Sequence, residues 1–158
     1  MAPSAFPETP RLFVDSSVII SGCASHKGAS RALLTLGEMT LLQLVVSPFV
    51  LRETERNLSY DLSHGLPFYE RIRQAINWEF APDPPEAEAR AWLAFLPPKD
   101  APVLASAIVA KPSRFITLDT RNFLNKPEVA NRSGLIILTA GDALLEIRDF
   151  LATGYGLG

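Results

Sequence analysis

Three aspartates stand where a carboxylate could do chemistry. Asp15 directly follows the apolar run RLFV at 11–14. Asp119 closes RFITL at 114–118 in the same way, and Asp100 heads DAPVLASAIVA at 100–110. Each has a simpler use. Aspartate is a good helix N-cap, which would suffice for Asp15 and Asp100, and it opens turns, which would suffice for Asp119. Asp100 strains the simple reading most. The helix it heads is apolar on nearly every side, so its start is expected to be enclosed. A buried carboxylate without a partner is costly, which calls for a partner or a metal ion.

A fourth acid comes from SPFVLRETERNL. Val50, Leu51, Thr54 and Leu58 form the stripe that this helix should bury, and Glu53 and Glu55 border it on opposite sides. Helical periodicity does not choose between them, and a solvated helix face explains either one. If several of these carboxylates converge, their repulsion costs energy or raises a pKa, and a divalent cation removes that penalty. Oxygen ligands without His or Cys favour Mg²⁺ or Mn²⁺ over Zn²⁺.

The elements that would bring them together alternate along the chain. Strands are expected at 11–14, 41–47, 114–118 and 134–138, with a short one in NWEFAPDPP. Helices are expected in SSVIISGCAS, in GASRALLTLGE after a break near Gly28, and from Pro48 through FVLRETERNL, where Pro suits the first turn. Further helices are expected at 66–76, 86–96 and 100–110, and in TAGDALLEIRDFL with Thr139 as N-cap. The strands are continuous apolar runs, not alternating ones, which points to a mostly parallel sheet covered on both faces: an α/β fold, a three-layer α/β/α sandwich. In such folds ligands gather beyond the carboxyl ends of the strands, where Asp15 and Asp119 lie.

A chain of 158 residues, 47% hydrophobic and 20% charged, suits one domain with a real core. That domain is read over 11–152, with a loose arm at 1–10 and a frayed tail at 153–158. The formal charge of −2 advertises no nucleic-acid partner globally. A single cysteine, Cys23, excludes an intrachain disulfide. The start, MAPSAFPETP, lacks the pattern of a signal peptide, and Gly37, Glu38 and Pro48 interrupt the richest apolar stretch, so no membrane span is expected. A cytoplasmic protein is the expectation. His26 and His64 have no partner at metal-ligand spacing. Cys23 reads as inert packing, and Trp78 and Trp92 as core or interface. Phosphate-loop and dinucleotide motifs are absent.

FVDSSVIISG, VVSPFVLRETERNL, KDAPVLASAIVA and FITLDTRNF, in this order and spacing, resemble the landmarks of the PIN domain, the metal-dependent nuclease family that includes the VapC-type toxins of toxin–antitoxin systems. The resemblance spans roughly 11–148. It implies an acidic site of Asp15, Glu53, Asp100 and Asp119, with Glu53 preferred over Glu55 by its distance from the SP that begins the helix. Ser17 matches a small polar position near the site. Asn122 departs from many members, which carry an aspartate there. The implied function is a Mg²⁺- or Mn²⁺-dependent ribonuclease, a toxin held by an antitoxin protein and expected to form a homodimer.

In that chemistry Asp15, Asp100 and Asp119 would hold metal, and Glu53 would be a ligand or orient the attacking water. Ser17 and Thr117 would position a water or serve as structural hydroxyls, and Asn122 stands at the second-metal or water-holding position. Arg52, Arg56, Lys99 and Arg121 lie within four residues of a proposed acid. They are candidates for phosphate contacts, with ordinary solvated surface as the alternative. Two other classes compete. One is a non-catalytic RNA-binding or scaffold module with the same fold, which has no need to collect carboxylates where phosphate must sit. The other is a phosphorylatable receiver, which would want paired acids after the first strand and a lysine after a late one.

Overall fold

Five short strands, β1 (Arg11–Val14), β2 (Gln43–Val46), β3 (Glu79–Phe80), β4 (Arg114–Ile116) and β5 (Ile137–Leu138), form one sheet in the order β3-β2-β1-β4-β5 in the computed structural model, which describes residues 9–154. Every pairing is parallel. Apart from Arg11, Gln43 and Arg114 at their starts, the inner strands are apolar because both faces are buried: Leu12, Phe13, Val14, Leu44, Val45, Val46, Phe115 and Ile116 have essentially no exposure. The architecture is the expected helix–sheet–helix sandwich.

Among the described residues eight α-helices connect and cover the strands: α1 (Ser16–Ala24), α2 (Ala29–Glu38), α3 (Pro48–Asp61), α4 (Leu66–Ala75), α5 (Glu86–Arg90), α6 (Ala101–Ala110), α7 (Pro127–Ser133) and α8 (Ala140–Gly154). Local chemistry explains several starts. Ser47 caps α3 by accepting from the Val50 amide at 3.3 Å, with Pro48 in the first turn. Thr139 accepts from the Asp142 amide at 3.0 Å at the head of α8. Phe13 stacks on Phe115 at 5.6 Å between centroids, and Phe115 meets Phe123 at 5.1 Å, tying β1 and β4 to the segment beyond Asp119. Among the described residues no helix is long and apolar enough to cross a membrane.

The structure corrects some boundaries. The helix expected over 86–96 ends at Arg90, and Trp92, Leu93 and Phe95 instead bond three residues back, as successive tight turns. Pro97 and Pro98 follow, and the residue before a proline is pushed out of helical conformation. The strands expected at 41–47, 114–118 and 134–138 are shorter, because only Gln43–Val46, Arg114–Ile116 and Ile137–Leu138 meet a neighbour in register. The helix α6 is fully enclosed only as far as Ala107, and Val109 is half exposed. Sequence periodicity did not reveal α7, which closes on Gly134 with φ 74°, a conformation natural to glycine. Of the arm read at 1–10, only Thr9 and Pro10 are described; Pro10 is buried and its carbonyl accepts from the Gln43 amide at 2.7 Å. Of the tail read at 153–158, Thr153 and Gly154 continue α8, and the rest lies outside the described residues.

Candidate active site

The chain runs from β1 outward to β2 and β3, then crosses back to place β4 on the other side of β1. The direction of winding therefore reverses between β1 and β4, and the carboxyl ends of these two strands frame a crevice. Val14 pairs with Ile116, and the Asp15 amide donates to the Ile116 carbonyl at 3.0 Å. Asp15 and Asp119 thus leave adjacent strands at the same edge. Glu53 arrives from the first turns of α3, which follows the neighbouring strand β2, and Asp100 from the head of α6.

Asp15 is almost fully buried and densely bonded. Its Oδ1 accepts from the Ser16 amide at 2.8 Å, so the N-cap reading holds. Its Oδ2 accepts from the Thr117 hydroxyl at 2.8 Å and the Ser17 hydroxyl at 2.9 Å. These hydroxyls also accept: Thr117 Oγ1 from the Asp119 amide at 3.0 Å, and Ser17 Oγ from the Leu118 amide at 3.0 Å. Ser17 and Thr117 therefore lace the end of β1 to the turn after β4, and their protons are committed to Asp15. Burial pushes the Asp15 carboxyl above its ordinary range; the Thr117 and Ser17 hydroxyls pull it back, and the charge of Glu53 adds to the rise.

Glu53 and Glu55, which periodicity left equivalent, part company in three dimensions. Glu53 Oε2 accepts from the Ser16 hydroxyl at 3.0 Å, one residue from Asp15. Glu55 Oε1 accepts from the Tyr69 phenol at 2.8 Å, toward α4. Sequence reasoning overlooked Ser16. Its signal was the repeated serine of VDSSV: at the head of α1 the two side chains diverge, one to Glu53 and the other to Asp15.

Asp119 caps a wide turn over Thr120–Leu124, in which the Leu124 and Asn125 amides reach carbonyls five residues back. Its Oδ1 accepts from the Asn122 amide and its Oδ2 from the Asn122 side-chain amide, both at 3.0 Å. Asn122 is thus a neutral donor that grips both oxygens of Asp119.

Asp100 differs from the others. It precedes α6 without capping it, so its carboxylate is not spent on the helix. Only 4% of the residue is exposed, yet Oδ2 has no hydrogen-bond partner. Its Oδ1 is 3.2 Å from Lys99 Nζ. Burial raises the Asp100 carboxyl above its ordinary range; Lys99 opposes the rise, and the charges of Asp15 and Asp119 add to it. Burial opposes the charge of Lys99, but Asp100, Glu53 and Asp119 together outweigh it and the lysine is raised. The four acids and this lysine therefore share one electrostatic neighbourhood.

Among the described residues no three acid, His or Cys side chains form a ready-made metal cage. The donor chemistry nonetheless fits a hard divalent cation. All candidate ligands are oxygens, and a buried carboxylate oxygen, Asp100 Oδ2, is otherwise left unpartnered.

The flanking cations divide. Arg52 is paired with Asp83 at 3.1 Å, and Asp83 also accepts from the Phe49 amide. Arg52, Arg56, Glu53 and Phe49 line one cleft of about 230 Å³. Arg121 is exposed on the turn after Asp119. The remaining candidates stay apart from the site. His64 contacts the Ala24 carbonyl at 3.0 Å, His26 is exposed, and Trp78 is buried in the core. Arg31 lies close enough to favour a Cys23 thiolate, but burial outweighs it and pushes the thiol up to about 12.

A family model described as PIN domain matches residues 11–121. Among solved structures, the chain is similar in fold to one described as VapBC2 from Rickettsia felis bound to a DNA fragment from their promoter. The TM-score is 0.59 at 14% identity, over 82% of this chain and 98% of that one. No curated protein sequence matches.

Proposed function

Because this chain belongs to the PIN domain family, we propose that it is a metal-dependent ribonuclease and the toxin of a toxin–antitoxin pair. The observation that carries the reading is Asp100: a buried carboxylate, unpartnered at Oδ2, in the same field as Asp15, Glu53 and Asp119. A bound Mg²⁺ or Mn²⁺ would supply a water of lowered pKa and neutralise charge developing on the scissile phosphate.

In this reading Asp15, Asp100 and Asp119 hold the ion. Glu53, fixed by Ser16, binds beside them or orients the attacking water. Ser17 and Thr117 hold Asp15 in one rotamer through its Oδ2, and the Asn122 side chain does the same for Asp119. Such outer contacts tune an ion's ligands. Arg56, Arg121 and Arg52 flank the acids and serve as phosphate contacts, as does Lys99 once free of Asp100. The catalytic unit is the single domain over 11–152, acting on RNA in the cytoplasm. The Rickettsia felis structure is a VapBC assembly on promoter DNA, which supports an antitoxin partner here; a homodimer is the expected toxin assembly.

The test is RNA hydrolysis in Mg²⁺ or Mn²⁺ by the wild type and Asp15→Asn. Loss of about a hundredfold or more in rate is expected in the variant. An unchanged rate would refute the catalytic assignment. A wild type that binds RNA but never cleaves it in either metal would favour the non-catalytic module.

A further inference from the structure

We infer that Lys99 is the built-in counter-ion of the acidic site, and that it competes with a divalent cation for the charge of Asp100 and its neighbours. The inference rests on the proposed metal site and adds what occupies the electrostatic centre before metal arrives. Of the four cations flanking the acids, Lys99 is the one paired with a site carboxylate, 3.2 Å from Asp100 Oδ1; Arg52 is held by Asp83 instead. The two partners are unlike in exposure. The Asp100 side chain is 5% exposed and fixed, whereas that of Lys99 is 59% exposed and reaches in from solvent. An ammonium on a flexible four-carbon stem can leave without disturbing the backbone.

The arrangement is economical. Asp100 has two oxygens, one bonded to Lys99 and one without a partner. Four carboxylates in one neighbourhood repel one another, and a positive charge among them offsets that repulsion. One lysine supplies part of it, and its field also reaches Glu53 and Asp119. A divalent ion supplies twice the charge at the same place. The two cations therefore compete for the same carboxylates, and each reduces the affinity of the site for the other.

Calorimetric titration of Mn²⁺ into wild type, Lys99→Met, Lys99→Arg and Arg121→Met tests this, together with melting of each protein in chelator. Lys99→Met is expected to bind Mn²⁺ about fivefold more tightly, the equivalent of one ion pair to a buried carboxylate. It should also melt about 2 °C lower without metal. Tighter metal binding by a less stable protein is an outcome that a purely structural lysine would not produce. Lys99→Arg, which keeps the charge, should match the wild type. Arg121→Met controls for long-range charge and should leave the Mn²⁺ affinity nearly unchanged. Equal affinity in Lys99→Met and wild type overturns the inference, as does an equal gain in Arg121→Met. A wild type that takes up no Mn²⁺ overturns the metal-dependent reading as well, so the two failures are distinguishable.

Discussion

Asp100→Asn keeps the shape of the side chain and removes its charge. In the metal-free protein the aspartate is 4% exposed with one oxygen unpartnered. Leaving a buried polar group unpaired costs about 1–3 kcal/mol, and more when it is charged. The asparagine keeps an unpaired atom but not the charge, so its cost falls to the low end of that range. Against this gain stands the lost pairing with Lys99, no more than about 1 kcal/mol because the lysine is 59% exposed. Relief of repulsion from Asp15 and Asp119 adds to the gain. The net is about 1 kcal/mol in favour of the variant, which raises Tm by about 2–4 °C for a chain of this size. With Mn²⁺ at a hundred times its Kd the wild type gains about 2.7 kcal/mol, roughly 5–10 °C, and the variant gains little. The order of stability should therefore invert: variant above wild type in chelator, wild type above variant in Mn²⁺. Scanning fluorimetry in the two buffers reads both. A variant that melts below the wild type in chelator, or responds to Mn²⁺ as fully as the wild type, would refute the reasoning.

Two further outcomes are expected. Asp15 and Asp100 have carboxyl groups raised above the ordinary value of 3.8, so between that value and their raised ones the native state binds more protons than the unfolded chain. The stability of the metal-free protein should then fall as pH rises through that window. Melting in chelator, scanned upward from about pH 4, should show this decline in the wild type and less of it in Asp100→Asn; equal slopes would remove Asp100 as the cause. Thr117→Val keeps the volume but loses the donor to Asp15 and the acceptor for the Asp119 amide. It should cost about 2–3 kcal/mol and weaken Mn²⁺ binding by about tenfold or more, while Thr117→Ser restores most of both; a valine variant with wild-type Tm and Mn²⁺ affinity would contradict this role.

Much of the fold was legible because its rules are local. Apolar runs bounded by polar residues marked β1 and β2, Ser47–Pro48 marked the start of α3, and Thr139 marked the start of α8. The parallel sheet followed from strands apolar on both faces, and from it the prospect of Asp15 and Asp119 at one edge. Failures came where a neighbour decided the outcome. The 86–96 segment has helical periodicity, but its second half closes into turns before Pro97, and β4 and β5 extend only as far as their partners pair with them.

The acids show the same division. Sequence alone specified which residue types stand at the ends of which elements, because hydrophobic period and capping chemistry act within a few residues. Only the tertiary structure decided what each carboxylate meets: Glu53 turns to Ser16 while Glu55 turns to Tyr69, and Asp15 is bound by hydroxyls from α1 and from just beyond β4 while Asp100 is buried with an oxygen to spare. A helix's period sets the face on which a side chain lies, but the donor or charge opposite comes from a segment tens of residues away, and no local rule carries that information.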